Sequence, residues 1–277
     1  MPDFDPATET LTLNQNRLHF IRAGAGHPVI LIHGSLCDYR YWRWQWPAFT
    51  EQYRVVAPSL FGYWPETLDT PDDGFTVARH AADVATLMHT VFPEQKVHVL
   101  GHSRGAHVAL EAALAAPEHI ASLVLADPGF HLPGLGSGSR FQLQAAGLLA
   151  NGEIDAGLEV FIDAVSGPDT WRRMTGWFKT MVRDNAMTLL SQINESEHAF
   201  DLARARQIEC PVLLLGGTGS PPRYKTIQDA LEPELKHAVR DQIPLASHGM
   251  NLANPKAFNR RVLSFWAQHE VEAGQAA

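Results

Sequence analysis

The chain has 277 residues, 45% hydrophobic and 19% charged, which suits a globular fold with a substantial core. A formal net charge of −8 and the lack of a basic stripe argue against a nucleic-acid partner. No apolar run approaches membrane-spanning length, no h-region follows the acidic start Met1-Pro2-Asp3-Phe4-Asp5-Pro6, and the two cysteines, Cys37 and Cys210, lack a C-x-x-C partner, so no membrane partner and a reducing, cytoplasmic setting are expected.

Thr8 to Leu13 and Arg17 to Ala23 read as strands around Asn14-Gln15-Asn16, a hairpin. Pro28-Val29-Ile30-Leu31-Ile32 is a continuous apolar run, as for a strand buried on both faces. Arg54 to Ala57 is a fourth strand, and Phe75 to Phe92 carries apolar residues at helical spacing. Lys96 to Leu100 is a short β-rich run. Gly101-His102-Ser103-Arg104-Gly105 follows it, and then an Ala/Leu-rich helix from Ala106 to Ala116, stopped by Pro117. Ala121 to Ala126, Pro211 to Leu215 and Ala238 to Ile243 complete eight strands, and Phe258 to His269 closes as a helix. Alternating strands and helices imply an α/β fold with a mostly parallel sheet covered on both faces.

Between Phe130 and Arg206 no β-rich run occurs. A Gly/Pro/Ser-rich connector, Pro128 to Ser139, opens into helix-like segments holding Phe141, Leu148, Leu158, Phe161, Trp171, Trp177, Phe178 and Met181. Such an insert is too long for a plain crossover. The expected organisation is a core of residues 1–129 and 207–277, with residues 130–206 as a helical cap over the sheet's carboxyl edge.

The G-x-S-x-G stretch at Ser103 is a nucleophile elbow in the strand–turn–helix context the motif needs. Glycines two residues to either side relieve the clash of a sharp turn. Serine at neutral pH is a poor nucleophile; it needs a base, a group to orient that base, and donors for the oxyanion. His248, in Leu245-Ala246-Ser247-His248-Gly249-Met250, follows the last strand and is the candidate base. The backbone N–H of Arg104 and one from His33-Gly34-Ser35-Leu36, with Ser35 the candidate, are the expected oxyanion donors.

In order along the chain, His33-Gly34, the run Tyr53 to Pro58, the elbow, the run Leu123 to Pro128 and the histidine loop resemble the α/β-hydrolases, a large lipase/esterase-like superfamily. The resemblance covers nearly the whole chain and is least specific in the cap. It implies the α/β-hydrolase fold with an eight-stranded sheet, and no cofactor. The elbow is also similar to the Gly-His-Asp-Arg-Gly elbow of haloacetate dehalogenases and related epoxide hydrolases, whose nucleophile is aspartate. Serine at 103 moves the expected chemistry to acyl transfer.

Two departures stand out. Relatives usually carry an Ala-Pro-Asp-Leu turn; here it reads Ala57-Pro58-Ser59-Leu60. Relatives also place the triad acid after the seventh strand, in Gly-x-x-Asp. Here the segment is Gly216-Gly217-Thr218-Gly219-Ser220, with Ser220 at the acid position. Asp127, closing the sixth strand where some relatives carry their acid, is the replacement; Asp229 and Asp241 are weaker candidates.

Other features divide between function and packing. The run Tyr39 to Trp46 lines a pocket or packs a helix on the sheet. Arg104 pairs with a substrate carboxylate or, more in keeping with its place, a structural carboxylate. His98 and His102 lack a third ligand for a metal. The resulting expectation is a cofactor-free serine hydrolase acting on a small-molecule ester, thioester or lactone. The rivals are C–C bond hydrolysis or a lyase reaction in the same cavity, and a non-enzymatic ligand-binding protein.

Overall fold

Alternation along the apolar strands decides the layering. In the strand Pro28–Ile32, Val29 and Leu31 point into one buried cluster while Ile30 and Ile32 point into another. A strand apolar on both faces must be covered on both, and the chain supplies a helical layer for each. The computed structural model describes residues 4–13, 16–132, 140–193, 195 and 199–270. The first three residues, the hairpin turn at 14–15 and residues 133–139 of the connector lie outside the described residues.

The strands are β1 (Thr8–Leu13), β2 (Asn16–Ala23), β3 (Pro28–Ile32), β4 (Arg54–Ser59), β5 (Val97–His102), β6 (Ile120–Ala126), β7 (Val212–Gly217) and β8 (Ala238–Ile243). They form one eight-stranded sheet in the order β1-β2-β4-β3-β5-β6-β7-β8. β2 runs antiparallel to both of its neighbours, and every other pairing is parallel. This is the eight-stranded, mostly parallel α/β-hydrolase sheet.

The helices, in chain order, are α1 (Trp46–Thr50), α2 (Val77–Val91), α3 (Arg104–Ala115), α4 (Arg140–Ala150), α5 (Ile154–Ser166), α6 (Thr170–Arg173), α7 (Gly176–Asp184), α8 (Thr188–Gln192), α9 (Pro222–Leu231), α10 (Met250–Ala253) and α11 (Pro255–Gln268). Val84, Leu87 and Met88 of α2 and Val108, Ala109 and Ala112 of α3 fill one core. Phe258, Val262, Phe265 and Trp266 of α11 fill the other.

Helix starts depart from the periodicity reading by two or three residues, for reasons of capping. Thr76 accepts the Arg79 N–H at 3.1 Å, so α2 begins at Val77 and leaves Phe75 outside. Asn254 accepts the Ala257 N–H at 3.3 Å with proline next, so α11 begins at Pro255. Helix α3 begins at Arg104, directly after the elbow serine.

Helices α4 to α8 are inserted between β6 and β7. Leu158, Phe161, Phe178 and Met181 join the core that also holds α11. At the base of the insert a parallel bridge joins His131 to Ala199, and the Phe200 N–H bonds the His131 carbonyl at 2.9 Å. The chain therefore leaves the sheet and returns to it at adjacent points. No helix among the described residues is long and apolar enough to cross a membrane.

Candidate active site

Strand β5 runs into Ser103, whose φ of 56° and ψ of −123° place it at a strained turn, and α3 starts at the next residue. Both flanking glycines are demanded by contact. A Cβ on Gly101 would lie 2.2 Å from the Gly105 carbonyl oxygen, and one on Gly105 would lie 2.2 Å from the His33 carbonyl oxygen. The turn is tied down by the Ser103 N–H on Ala126 O at 2.9 Å and the Gly129 N–H on Ser103 O at 3.0 Å.

Arg104, as the first residue of α3, has an N–H with no intrahelical acceptor. Gly34 packs so closely that a Cβ there would sit 3.0 Å from the Ser103 Cβ, which brings the Ser35 loop against the elbow. His33 holds that loop. Its Nε2 accepts the Leu60 N–H at 3.0 Å, so Nδ1 carries the proton and donates to Gly34 O at 2.9 Å. Ser35, Ser103 and Arg104 line one cavity of about 970 Å³.

His248 is buried, and its Nδ1 lies 3.2 Å from the Asp127 Oδ2. Asp127 also has positive φ, at 40°, with its N–H on Leu215 O at 2.8 Å. Two further groups donate to its carboxylate. Ser220 Oγ reaches Oδ2 at 2.5 Å, and Gln228 Nε2 reaches Oδ1 at 3.4 Å. Ser220, at the position where the resemblance places an acid, thus donates to Asp127. Burial pushes the Asp127 carboxyl up to about 7, against the Ser220 hydrogen bond that lowers it. Burial, followed by the charge of Arg223, pushes His248 down to about 3, so the imidazole is neutral and able to accept a proton.

The histidine loop is fastened to the elbow. His102 Nε2 bonds the His248 carbonyl at 2.8 Å, and Tyr224 stacks flat on the His248 ring at 4.0 Å and 9°. Ser103 and His248 share a small pocket of about 40 Å³. Among the described residues no hydrogen bond of standard geometry joins the two side chains. A hydroxyl rotor with a buried base beside it can close that contact when substrate docks.

The other carboxylate candidates point elsewhere. Asp229 is held by Lys225 at 2.7 Å and Arg240 at 2.6 Å, and Asp241 by Arg261 at 2.5 Å. Arg104 is buried and forks onto Glu195 of the insert through Nε at 2.7 Å and through Nη2. Nη2 also bonds His80 Nδ1 at 2.9 Å. Its guanidinium is therefore committed within the protein. The aromatic run divides: Tyr39, Tyr41 and Trp42 are core residues, and of these Tyr41 alone lines a pocket, beside His102.

His98 bonds Ser122 Oγ at 2.8 Å. Among the described residues His89, Glu118 and His119 form the one trio spaced to hold a metal ion, and none of them lines the cavity.

Sequence reasoning missed Gln228, Tyr224, Glu195 and Gly129. A Cβ on Gly129 would sit 3.2 Å from the Ser103 Oγ and 3.3 Å from the Arg104 nitrogen, in the space between nucleophile and oxyanion donor. A glycine one residue past Asp127-Pro128 was the available signal.

Residues 29–261 match the model of the alpha/beta hydrolase family, and the chain belongs to that family. A soluble epoxide hydrolase of Corynebacterium sp. is 33% identical over 135 residues, 48% of this chain and 45% of the relative. The chain therefore spans less than half the length of that relative. The (E)-2-((N-methylformamido)methylene)succinate hydrolase of Acinetobacter baylyi is 24% identical over 268 residues, 91% of this chain and 95% of the relative. The enol-lactonase from Burkholderia xenovorans superposes with a TM-score of 0.78 at 19% identity, covering 94% of this chain and 100% of that one, a likeness of fold.

Proposed function

We propose that the chain is a serine hydrolase that cleaves an ester, thioester or lactone with an apolar part through an acyl-enzyme. The reading rests on one arrangement: an elbow serine beside a buried, neutral histidine that is oriented by a buried carboxylate. The Asp127 carboxylate beside His248 supports this reading over a non-enzymatic ligand-binding protein, for which an acid missing after β7 would speak. Full-length likeness to a relative named as a hydrolase supports water as co-substrate. Epoxide chemistry is disfavoured by the serine at 103.

In this mechanism Ser103 Oγ attacks the acyl carbon while His248 Nε2 takes its proton. The oxyanion is held by the N–H groups of Arg104 and Ser35. The tetrahedral species expels the alcohol or thiol, which leaves with the proton from His248. Water then adds to the acyl-enzyme with His248 as base, releasing the acid and restoring Ser103. Asp127 holds the His248 tautomer with the proton on Nδ1 and stabilises the imidazolium. Helices α4 to α8 act as the cap that shapes the apolar binding cavity. Two free cysteines fit a reducing, cytoplasmic location.

A fluorophosphonate probe followed by intact-mass and peptide mass spectrometry tests the reading. One adduct on Ser103, abolished in Ser103→Ala together with turnover of an ester panel, is expected. An adduct on another residue, or full turnover by Ser103→Ala, refutes it.

A further inference from the structure

Three arginines line the cavity over Ser103: Arg104, Arg204 and Arg223. Two are committed to carboxylates. Arg104 forks onto Glu195, and Arg204 onto Glu111 at 2.7 and 2.8 Å. Arg223 is different. Among the described residues it has no carboxylate partner. Its Nη2 donates to the Ala164 carbonyl of α5, and its guanidinium lies over the rings of Phe141, at 4.7 Å, and Tyr224, at 5.6 Å. Among the described residues Nε and Nη1 have no hydrogen-bond acceptor. The side chain is half-buried on the first turn of α9, next to the tyrosine that stacks on His248.

A separate observation concerns the other polar atoms of the cavity. Gln192, only 8% exposed, lines the same cavity with its amide oxygen buried and unpartnered, as does the amide oxygen of Gln142. Buried polar atoms are nearly always satisfied; an amide oxygen accepts, so these two would take a hydroxyl or N–H of a ligand and not its carboxylate. The rest of the wall is aromatic and aliphatic, including Phe75, Phe130 and Phe161.

The lining carboxylates do not neutralise Arg223. Glu195 and Glu111 are engaged as above, Asp201 caps the Ala203 N–H at 3.1 Å and acts on Arg204 and Arg206, and Asp73 is exposed. A partly desolvated guanidinium with N–H donors to spare matches a carboxylate in charge and hydrogen-bonding character.

We infer that Arg223 is a specificity-determining residue, and that the substrate carries a carboxylate, on its acyl or alcohol part, which binds the Arg223 guanidinium while the reacting ester meets Ser103. The inference rests on the proposed hydrolase reading for its second half only; carboxylate binding at Arg223 stands apart from turnover.

The test separates the two. Binding of 4-phenylbutyrate and of its neutral isostere 4-phenylbutanamide to the full-length Ser103→Ala protein is measured by calorimetry at neutral pH. The acid is expected to bind about ten- to hundredfold more tightly than the amide, the value of a charge-assisted hydrogen bond. Arg223→Gln should abolish that preference and Arg223→Lys should keep part of it. In the unsubstituted enzyme a hemiglutarate aryl ester should be turned over with a correspondingly higher kcat/KM than the matched butyrate ester, and Arg223→Gln should collapse the ratio. Equal binding of acid and amide, no saturable binding of either, or an equal weakening of both in Arg223→Gln would show a structural strap and overturn the inference. Acid-selective binding that depends on Arg223, with no ester turnover and no probe adduct, would sustain the anion site and refute the hydrolase reading.

Discussion

Acidification below pH 6.5 should unfold this protein far more steeply than an ordinary α/β chain. Five histidines, His33, His80, His98, His102 and His248, are buried. Burial is the leading cause in each case; it holds His33, His98, His102 and His248 down to about 3 and His80 well below its ordinary range. In the unfolded chain each titrates near 6.5. The folded value lies below the unfolded one, so the unfolded state binds more protons and stability is lost as pH falls through 6.5.

Between pH 7.5 and 5.5 each of the four held near 3 costs a little over about 1 kcal/mol, the four together about 5 kcal/mol, and His80 acts in the same direction. The figure stays the same for any folded value below about 4.5. Asp127 acts in the opposite direction. Its carboxyl, raised to about 7 in the fold, takes up a proton over the same interval and returns about 2 kcal/mol. The net loss of about 3 kcal/mol is a large part of a domain's usual stability of about 5–15 kcal/mol.

For a chain of this size the melting temperature should drop by about 5–8 °C from pH 7.5 to pH 5.5. Scanning calorimetry at fixed ionic strength reads it directly. A melting temperature constant to within about 3 °C across that interval would show that these imidazoles are not held neutral by the fold. It would also remove the ground for a neutral His248 at rest.

Three further outcomes probe the site itself. Asp127→Asn should keep the fold but favour the wrong His248 tautomer, lowering kcat by up to about 10⁴-fold; adding Ser220→Asp should restore part of it, because Ser220 Oγ stands 2.5 Å from the Asp127 carboxylate. Ser220→Ala removes a donor that lowers the Asp127 pKa, so the acid limb of the kcat/KM profile, which belongs to the Asp127–His248 pair, should move to higher pH by about one pH unit; an unmoved limb would show that the limb reports another group. Gly129→Ala should place a methyl group 3.2 Å from the Ser103 Oγ and slow both turnover and fluorophosphonate capture, with little change in melting temperature; capture at the original rate would show that substrate approaches from another side.

Much of this architecture is legible in the sequence because it is local. Gly101 and Gly105 are required within one turn of chain, and the strand and helix around them are apolar and alanine-rich runs. His248 could be named from chain order alone, since the last strand must deliver it. What escaped notice is what joins distant segments. The Ser220–Asp127 bond spans 93 residues and the Arg104–Glu195 pair spans 91. Ser220 could be marked as standing where an acid is expected but not as a donor to Asp127, and a glutamate near the end of a helical insert reads as solvated surface.

The proposed placing of the acid at Asp127 has a physical rationale in the sheet. β6 and β7 are adjacent parallel strands, paired from Leu123–Val212 to Ala126–Leu215, so their carboxyl ends open side by side at a strand spacing of about 4.8 Å. A carboxylate rooted at either end can reach one imidazole. With Asp127 on β6, a second carboxylate after β7 would place two like charges in a buried site, where one of them would have to protonate. Serine at 220 avoids that repulsion, accepts the Gly217 N–H at 3.1 Å, and turns its proton toward Asp127. The Gly-Ser-Pro-Pro loop is thus the chemical complement of the aspartate on the neighbouring strand, and the two positions should be substituted together.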